Sequence, residues 1–157
     1  MNVQDAISSL QQRVSISSTI SPLEHQHLAE LLTHSVALTP NKKAFTSLGF
    51  SLTYGELDRL ATAFASYLQN HTGAVKGDRI AIMLPNLVQY PVVFFGALKA
   101  GLVVVNTNPL YTERELVHQF NDSGAKILVA LANAGDLLER VIPQTSVKQV
   151  IMTELAD

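Results

Sequence analysis

Arg79-Ile80-Ala81-Ile82-Met83-Leu84, the apolar run Leu87-Val88-Gln89-Tyr90-Pro91-Val92-Val93, and then Leu98-Lys99-Ala100-Gly101-Leu102-Val103-Val104-Val105-Asn106 decide the fold. The first and last parts are short, rich in branched residues and apolar almost throughout, as parallel strands covered on both faces are. The middle part is longer, and Gly101 stands where a helix would have to close before the next strand. Taken as one piece, residues 87–105 are nearly apolar enough to cross a bilayer. Pro91, Lys99 and Gly101 cut that run, so a buried helix followed by a buried strand accounts for it better than a membrane span.

Working outward, the same rhythm continues. Strands are expected at 79–84, 102–106, 126–131 and 149–153, with helices starting near Asn86, Thr112 and Asn133. This β-α-β-α-β-α-β order calls for a parallel sheet with right-handed connections. Thr112-Glu113-Arg114-Glu115 reads as a capping box, in which the N-cap and the residue three further on satisfy each other's backbone. Tyr111 and Leu116 stand at the flanking staple positions. Gly124 falls just past the end of that helix. Pro91, early in its own helix, is expected to bend it by failing to donate to the preceding turn.

Upstream, Leu52-Thr53-Tyr54-Gly55-Glu56-Leu57 combines a second capping box, Thr53 with Glu56, and a Leu52/Leu57 staple. The helix it starts carries Leu57, Leu60, Ala61, Phe64, Tyr67 and Leu68 on one face of a 3.6-residue period and stops at Gly73. Residues 43–46 and 50–52, separated by Ser47-Leu48-Gly49, read as a hairpin whose Gly49 takes a positive φ. Ser21-Pro22-Leu23-Glu24 is a further capping signal, for a helix burying Leu28, Leu31, Leu32 and Val36 and ending before Pro40. Residues 1–20, rich in Ser and Gln, read as a flexible lead-in.

A hydrophobic fraction of 47% and a charged fraction of 15% describe an apolar globular chain rather than a disordered one. The net charge of -2 offers nucleic acid no electrostatic footprint. The absence of cysteine removes disulfides and thiolate zinc sites and fits a reducing compartment. The amino terminus does not read as a signal peptide. The five histidines are dispersed, with no carboxylates at ligand spacing, so no metal site is expected. The turn after the first parallel strand, Met83-Leu84-Pro85-Asn86-Leu87, contains no glycine, which argues against dinucleotide binding. No Gly-x-Ser-x-Gly elbow and no Walker-type loop occurs. No residue takes a catalytic role on this evidence.

Two segments are more specific than their physics. Leu52-Thr53-Tyr54-Gly55-Glu56-Leu57 resembles the first core motif of adenylation domains, and Leu98-Lys99-Ala100-Gly101 leading into a strand resembles the second. Asp78 to Asn86, Gln89-Tyr90-Pro91, Val104-Val105-Asn106-Thr107-Asn108-Pro109-Leu110-Tyr111-Thr112 and Asn121-Asp122-Ser123-Gly124-Ala125 look like bacterial long-chain fatty-acid–CoA ligases of the adenylate-forming superfamily. The resemblance implies ATP, Mg²⁺ and CoA as cofactors of the full-length enzyme, none of them bound by this stretch alone. It implies a fatty acid and CoA as partners and a cytoplasmic enzyme, with peripheral contact at the inner membrane left open.

The family's Ser/Thr/Gly-rich phosphate loop with its lysine does not occur in these residues, nor do the ribose-binding aspartate, the hinge and the small C-terminal domain. Residues 21–157 therefore read as the front part of the large N-terminal domain, an α/β partial domain that is inactive alone. Thr53, Glu56, Gly101, Thr112 and Glu115 read as architectural. Asn106, Asn108, Pro109 and Tyr111, after the carboxyl end of a strand, are the candidates for ligand contact, although Asn and Pro turn chemistry explains the same residues. Two other classes stay open: a self-associating module forming a homodimer through an exposed sheet edge, and a small apolar-ligand carrier.

Overall fold

The computed structural model describes residues 3–5, 8–9, 25 and 27–155. Residues 3–5 and 8–9 have helical backbone; the rest of the lead-in and the Ser21–Glu24 capping signal lie outside the described residues. The first long helix, α1, spans Leu28–Leu38 with His27 as its N-cap: the His27 ring accepts the Glu30 N–H at 3.3 Å. Only Leu32 of the expected stripe is buried; Leu28 and Leu31 face solvent and Val36 is half-covered. The apolar arc of α1 is wider than its contact with the next two helices, which explains the difference.

The hairpin forms from β1 (Lys43–Ser47) and β2 (Phe50–Thr53), antiparallel, with Ser47 opposite Phe50. Both turn residues have positive φ, Gly49 at 84° and Leu48 at 50°. Two positive φ values are what a two-residue hairpin turn requires. Leu48 is not a residue whose side chain announces that conformation.

Thr53 then caps α2 (Tyr54–His71). Its hydroxyl accepts the Glu56 N–H at 3.2 Å, and the Glu56 carboxylate accepts the Thr53 N–H at 2.9 Å. Leu52 and Leu57, at the staple positions, are both buried. The buried stripe is Leu57, Ala61, Ala65 and Leu68; Leu60 and Phe64 are half-covered and Tyr67 is exposed. Gly73 leaves the helix at φ 67°.

The parallel sheet contains β3 (Arg79–Met83), β4 (Val103–Asn106), β5 (Ile127–Leu131) and β6 (Gln149–Thr153) in the order β4-β3-β5-β6. All three pairings are parallel. The central strands β3 and β5 are buried nearly throughout, as double coverage demands. The outer strands differ from that expectation: Val103, Val150 and Met152 are exposed, because β4 and β6 each have a neighbour on one side only.

The connecting helices are α3 (Gln89–Lys99), α4 (Glu113–Ser123) and α5 (Gly135–Val141), the last preceded by a 3-10 turn at Ala132–Ala134. Ile80, Ile82, Ile127 and Val129 pack against α2 and α3 on one face of the sheet. Ala81, Met83, Leu128 and Ala130 pack against α4 and α5 on the other. The alternation along β3 and β5 thus feeds two cores, one per face.

Pro91 corrects an expectation. Helix α3 begins at Gln89, not near Asn86, so Pro91 lies in the first turn. N–H groups there have no intrahelical acceptor, so a missing one costs nothing and the expected bend has no cause. The run 87–105 is this helix and β4, and among the described residues no helix is long and apolar enough to cross a membrane.

Candidate functional site

Strand β3 leads into α3 on one face, whereas β4 leads into α4 on the other. Where neighbouring strands send their connections to opposite faces, a crevice opens at their carboxyl ends, and open α/β sheets bind ligands there. The segment 106–111 follows the carboxyl end of β4 and the start of α3 follows that of β3, and the two are joined by the Tyr90–Asn106 hydrogen bond.

The structure separates the four candidate residues. Asn108 is engaged in the turn: its Oδ1 accepts the Leu110 N–H at 3.0 Å and its carbonyl accepts the Tyr111 N–H at 3.1 Å. Pro109, next in that turn, supplies the pre-set φ that such a position favours. Tyr111 is half-buried against the α4/α5 core, where it sits beside the cap of α4. Asn106 is left facing solvent at the end of β4.

Asn106 is held from both sides of the sheet. The Tyr90 hydroxyl, from the first turn of α3, donates to Asn106 Oδ1 at 2.6 Å. The Gln119 Nε2, from α4, donates to the Asn106 backbone carbonyl at 3.0 Å. Tyr90 stacks on Phe94, with ring centroids 6.1 Å apart, and burial raises its hydroxyl above the ordinary tyrosine range. The phenol therefore keeps its proton at physiological pH and can donate this hydrogen bond. Thr107, next along, is buried, and its N–H donates to the Ile82 carbonyl at 3.0 Å, tying the loop to β3. The Gln119 Oε1 is buried without a hydrogen-bond partner, so the loop rests on a side chain that keeps one acceptor unsatisfied.

Neither Tyr90 nor Gln119 stood out as a site residue in the sequence. Tyr90 lies in an apolar run and Gln119 is one polar residue among several on an amphipathic helix. The usable signal was topological, since both precede or follow strands that end at the crevice.

The remaining motif residues sit on the frame. The Glu115 carboxylate accepts both the Thr112 N–H and the Thr112 hydroxyl at 2.7 Å, and these bonds, backbone first, lower its pKa. The equivalent Thr53 bonds lower that of Glu56, again backbone first. At Gly101, φ is 80°; the Leu102 N–H donates to the Ala97 carbonyl at 2.9 Å and the Gly101 N–H to that of Leu98 at 3.0 Å. This pair of bonds is a Schellman motif, which turns the chain from α3 into β4. Lys99 bridges α3 to α2, its Nζ 2.6 Å from Asp58 Oδ1 and 2.8 Å from Thr62 Oγ1.

Among the described residues no three His, Cys, Asp or Glu side chains gather as a metal site. The crevice also has no glycine turn for a triphosphate, so the residues present do not fit Mg²⁺ or ATP by themselves. A hollow of about 1060 Å³, open to solvent, lies between α1, α2 and the end of α3 among His34, Thr62, Ser66 and Lys99, away from the strand carboxyl ends.

Known proteins match the sequence and the fold of this chain. A family model described as AMP-binding enzyme matches residues 32–157. The chain is 46% identical over 142 residues to a long-chain-fatty-acid–CoA ligase of Salmonella typhimurium, covering 90% of this chain and 25% of that protein. It is 37% identical to one from Bacillus subtilis, covering 87% of this chain and 24% of the other. Among solved structures, a benzoate CoA ligase from Burkholderia xenovorans superposes with a TM-score of 0.75 at 30% identity, over 82% of this chain and 26% of that one. A Mycobacterium tuberculosis fatty acyl CoA synthetase superposes with a TM-score of 0.74 at 27% identity, over 82% and 26%. The chain thus spans about a quarter of the length of the curated relatives it matches.

Proposed function

The chain belongs to the AMP-binding enzyme family, and from that membership we propose that it is the N-terminal portion of an ATP-dependent long-chain fatty-acid–CoA ligase. The observation that carries this reading is the 46% identity across nine-tenths of the chain to a long-chain-fatty-acid–CoA ligase. The reaction proposed for the whole protein joins a fatty acid to CoA with conversion of ATP to AMP and pyrophosphate. The fatty carboxylate would attack the α-phosphate, and the CoA thiol would then displace AMP. Mg²⁺ and basic groups would offset the phosphate charge.

In this reading residues 1–157 supply the frame and one wall of a crevice, while the phosphate-gripping groups belong to other parts of the enzyme. The isolated chain therefore forms no acyl-adenylate. Cytoplasmic residence, with peripheral contact at the inner membrane, is part of the same proposal.

The test is direct. The full-length protein is assayed for acyl-CoA formation with acids of increasing chain length, and the 157-residue chain is assayed in parallel for acyl-AMP. Long-chain activity in the first and none in the second are expected. Preference of the full-length protein for an aryl or amino acid, or acyl-AMP formed by the chain alone, would overturn the proposal.

A further inference from the structure

Asn106 ends β4 at the crevice, and its two hydrogen-bonding partners come from opposite layers of the molecule. Gln119 fixes its backbone carbonyl from the α4 side, and Tyr90 fixes its side-chain carbonyl from the α3 side. Among the described residues, no hydrogen bond engages the Asn106 side-chain Nδ2. With Oδ1 turned toward Tyr90, that nitrogen points away from Tyr90 on an exposed residue. An unanchored Asn side chain at a strand end rotates freely and offers either its donor or its acceptor. An anchored one presents its donor in a fixed direction, and the rotational entropy is already spent before a ligand arrives.

We infer that Tyr90 is a positioning residue which orients the Asn106 amide so that Nδ2 donates to an oxygen acceptor, a carboxylate or phosphate oxygen, of a ligand entering the crevice between β3 and β4. The inference rests on the ligase reading for the identity of that ligand, but not for the geometry. Asn108 and Pro109 form the turn that holds the segment, and Tyr111 belongs to the core. Of the four candidates, Asn106 is the one whose side-chain carbonyl is bonded by a residue of another element; the Asn108 Oδ1 is bonded within its own turn.

Tyr90→Phe removes one oxygen and keeps the ring that stacks on Phe94, so it isolates the hydrogen bond from the packing. In the full-length protein, the KM for one of ATP, fatty acid or CoA should rise about three- to tenfold, the range expected for one neutral hydrogen bond. The kcat and the melting temperature should stay close to wild type. Which KM moves identifies the source of the acceptor oxygen. Asn106→Ala should raise the same KM, and the double variant should be no worse than Asn106→Ala alone, because the two residues act as one unit. Since the hydroxyl stays protonated, the ratio of wild-type to variant KM should be flat between about pH 6 and pH 9.

Unchanged KM values in both variants, effects that multiply independently in the double variant, or a loss tracking kcat and melting temperature together would overturn the inference. Crystal structures of the full-length wild type and Tyr90→Phe decide it even if the wild type activates no fatty acid. Such inactivity would sink the ligase reading. An Asn106 amide held in the same orientation in both structures would sink this one, and an amide reoriented or spread over two rotamers in Tyr90→Phe would support it.

Discussion

Thr53 and Thr112 share one arrangement: a threonine N-cap whose backbone N–H and hydroxyl both donate to a glutamate three residues on. Both motifs resemble segments of a known enzyme family, yet their groups are consumed in starting helices. Replacing Thr53 by Ala should destabilise the protein by about 1 kcal/mol, the usual cost of a lost N-cap, as measured by urea unfolding. A shift of the unfolding midpoint with an unchanged slope would identify it as a stability effect. Three carboxylates should also shape the acid limb of stability. Glu56 and Glu115 have lowered pKa values for the reasons given above. Asp78, which begins the turn into β3, is lowered by the Lys126 ammonium at 2.7 Å and then by the Val75 N–H. A depressed carboxylate contributes stability that is complete above its unfolded value, about 4, and is lost as pH falls through its folded value. Stability should therefore be level from neutrality to about pH 5 and then fall, and Asp78→Asn should make the fall below pH 4 shallower. Equal acid limbs in wild type and variant would remove Asp78 from this account.

At the scale of elements, α2 and α3 approach closely because of one residue whose role does not show in the sequence. A Cβ built on Gly96 would lie 2.8 Å from Phe64 Cδ1 and 2.9 Å from the Ala61 carbonyl oxygen. The phenyl ring can move, but the backbone oxygen of a packed helix cannot. Gly96→Ala should therefore cost about 1–3 kcal/mol despite its higher helix propensity, with the loss visible in thermal unfolding. A neutral or stabilising result would mean that the two helices slide apart without penalty. The contrast with the caps explains what could be read beforehand. Capping boxes, staples and the helix-closing Gly73, Gly101 and Gly124 act within a few residues, so their signals lie in local order, and all six strands could be placed within one residue at either end. Gly96, the Lys99–Asp58 bridge and the exposure of Leu28 and Leu31 depend on which helix lies against which, and local patterns carry no such information. The early start expected for α3 failed for a related reason. Asn86 looks like a cap, but the helix follows Val88, which makes no side-chain cap, and the Asn86 carbonyl accepts the Ser47 hydroxyl of the hairpin at 3.0 Å.

For the whole molecule, the unreadable quantity was the order β4-β3-β5-β6. An alternating strand–helix pattern dictates a parallel sheet but does not say that the connection after β4 crosses back over β3. That reversal sends the connections after β3 and β4 to opposite faces, so the loop 106–111 was legible as a strand-end loop while its two holders, Tyr90 and Gln119, were not. The same order makes β3 and β5 central and leaves β4 and β6 with one bonded neighbour each. Amide hydrogen exchange should divide accordingly. The β3 and β5 amides, buried in two cores and bonded within the sheet, should exchange only through global unfolding, whereas β4 and β6 should open locally and exchange faster. The side chains agree with this ranking, since Ile80, Ile82, Leu128 and Val129 are almost wholly buried while Val103, Val150 and Met152 are half-exposed. Fast exchange confined to β4 and β6 would show that both edges are open in solution. Protection of β6 equal to that of β3 would mean instead that this edge is covered, and its dependence on protein concentration would then distinguish a second copy from a segment of the same protein.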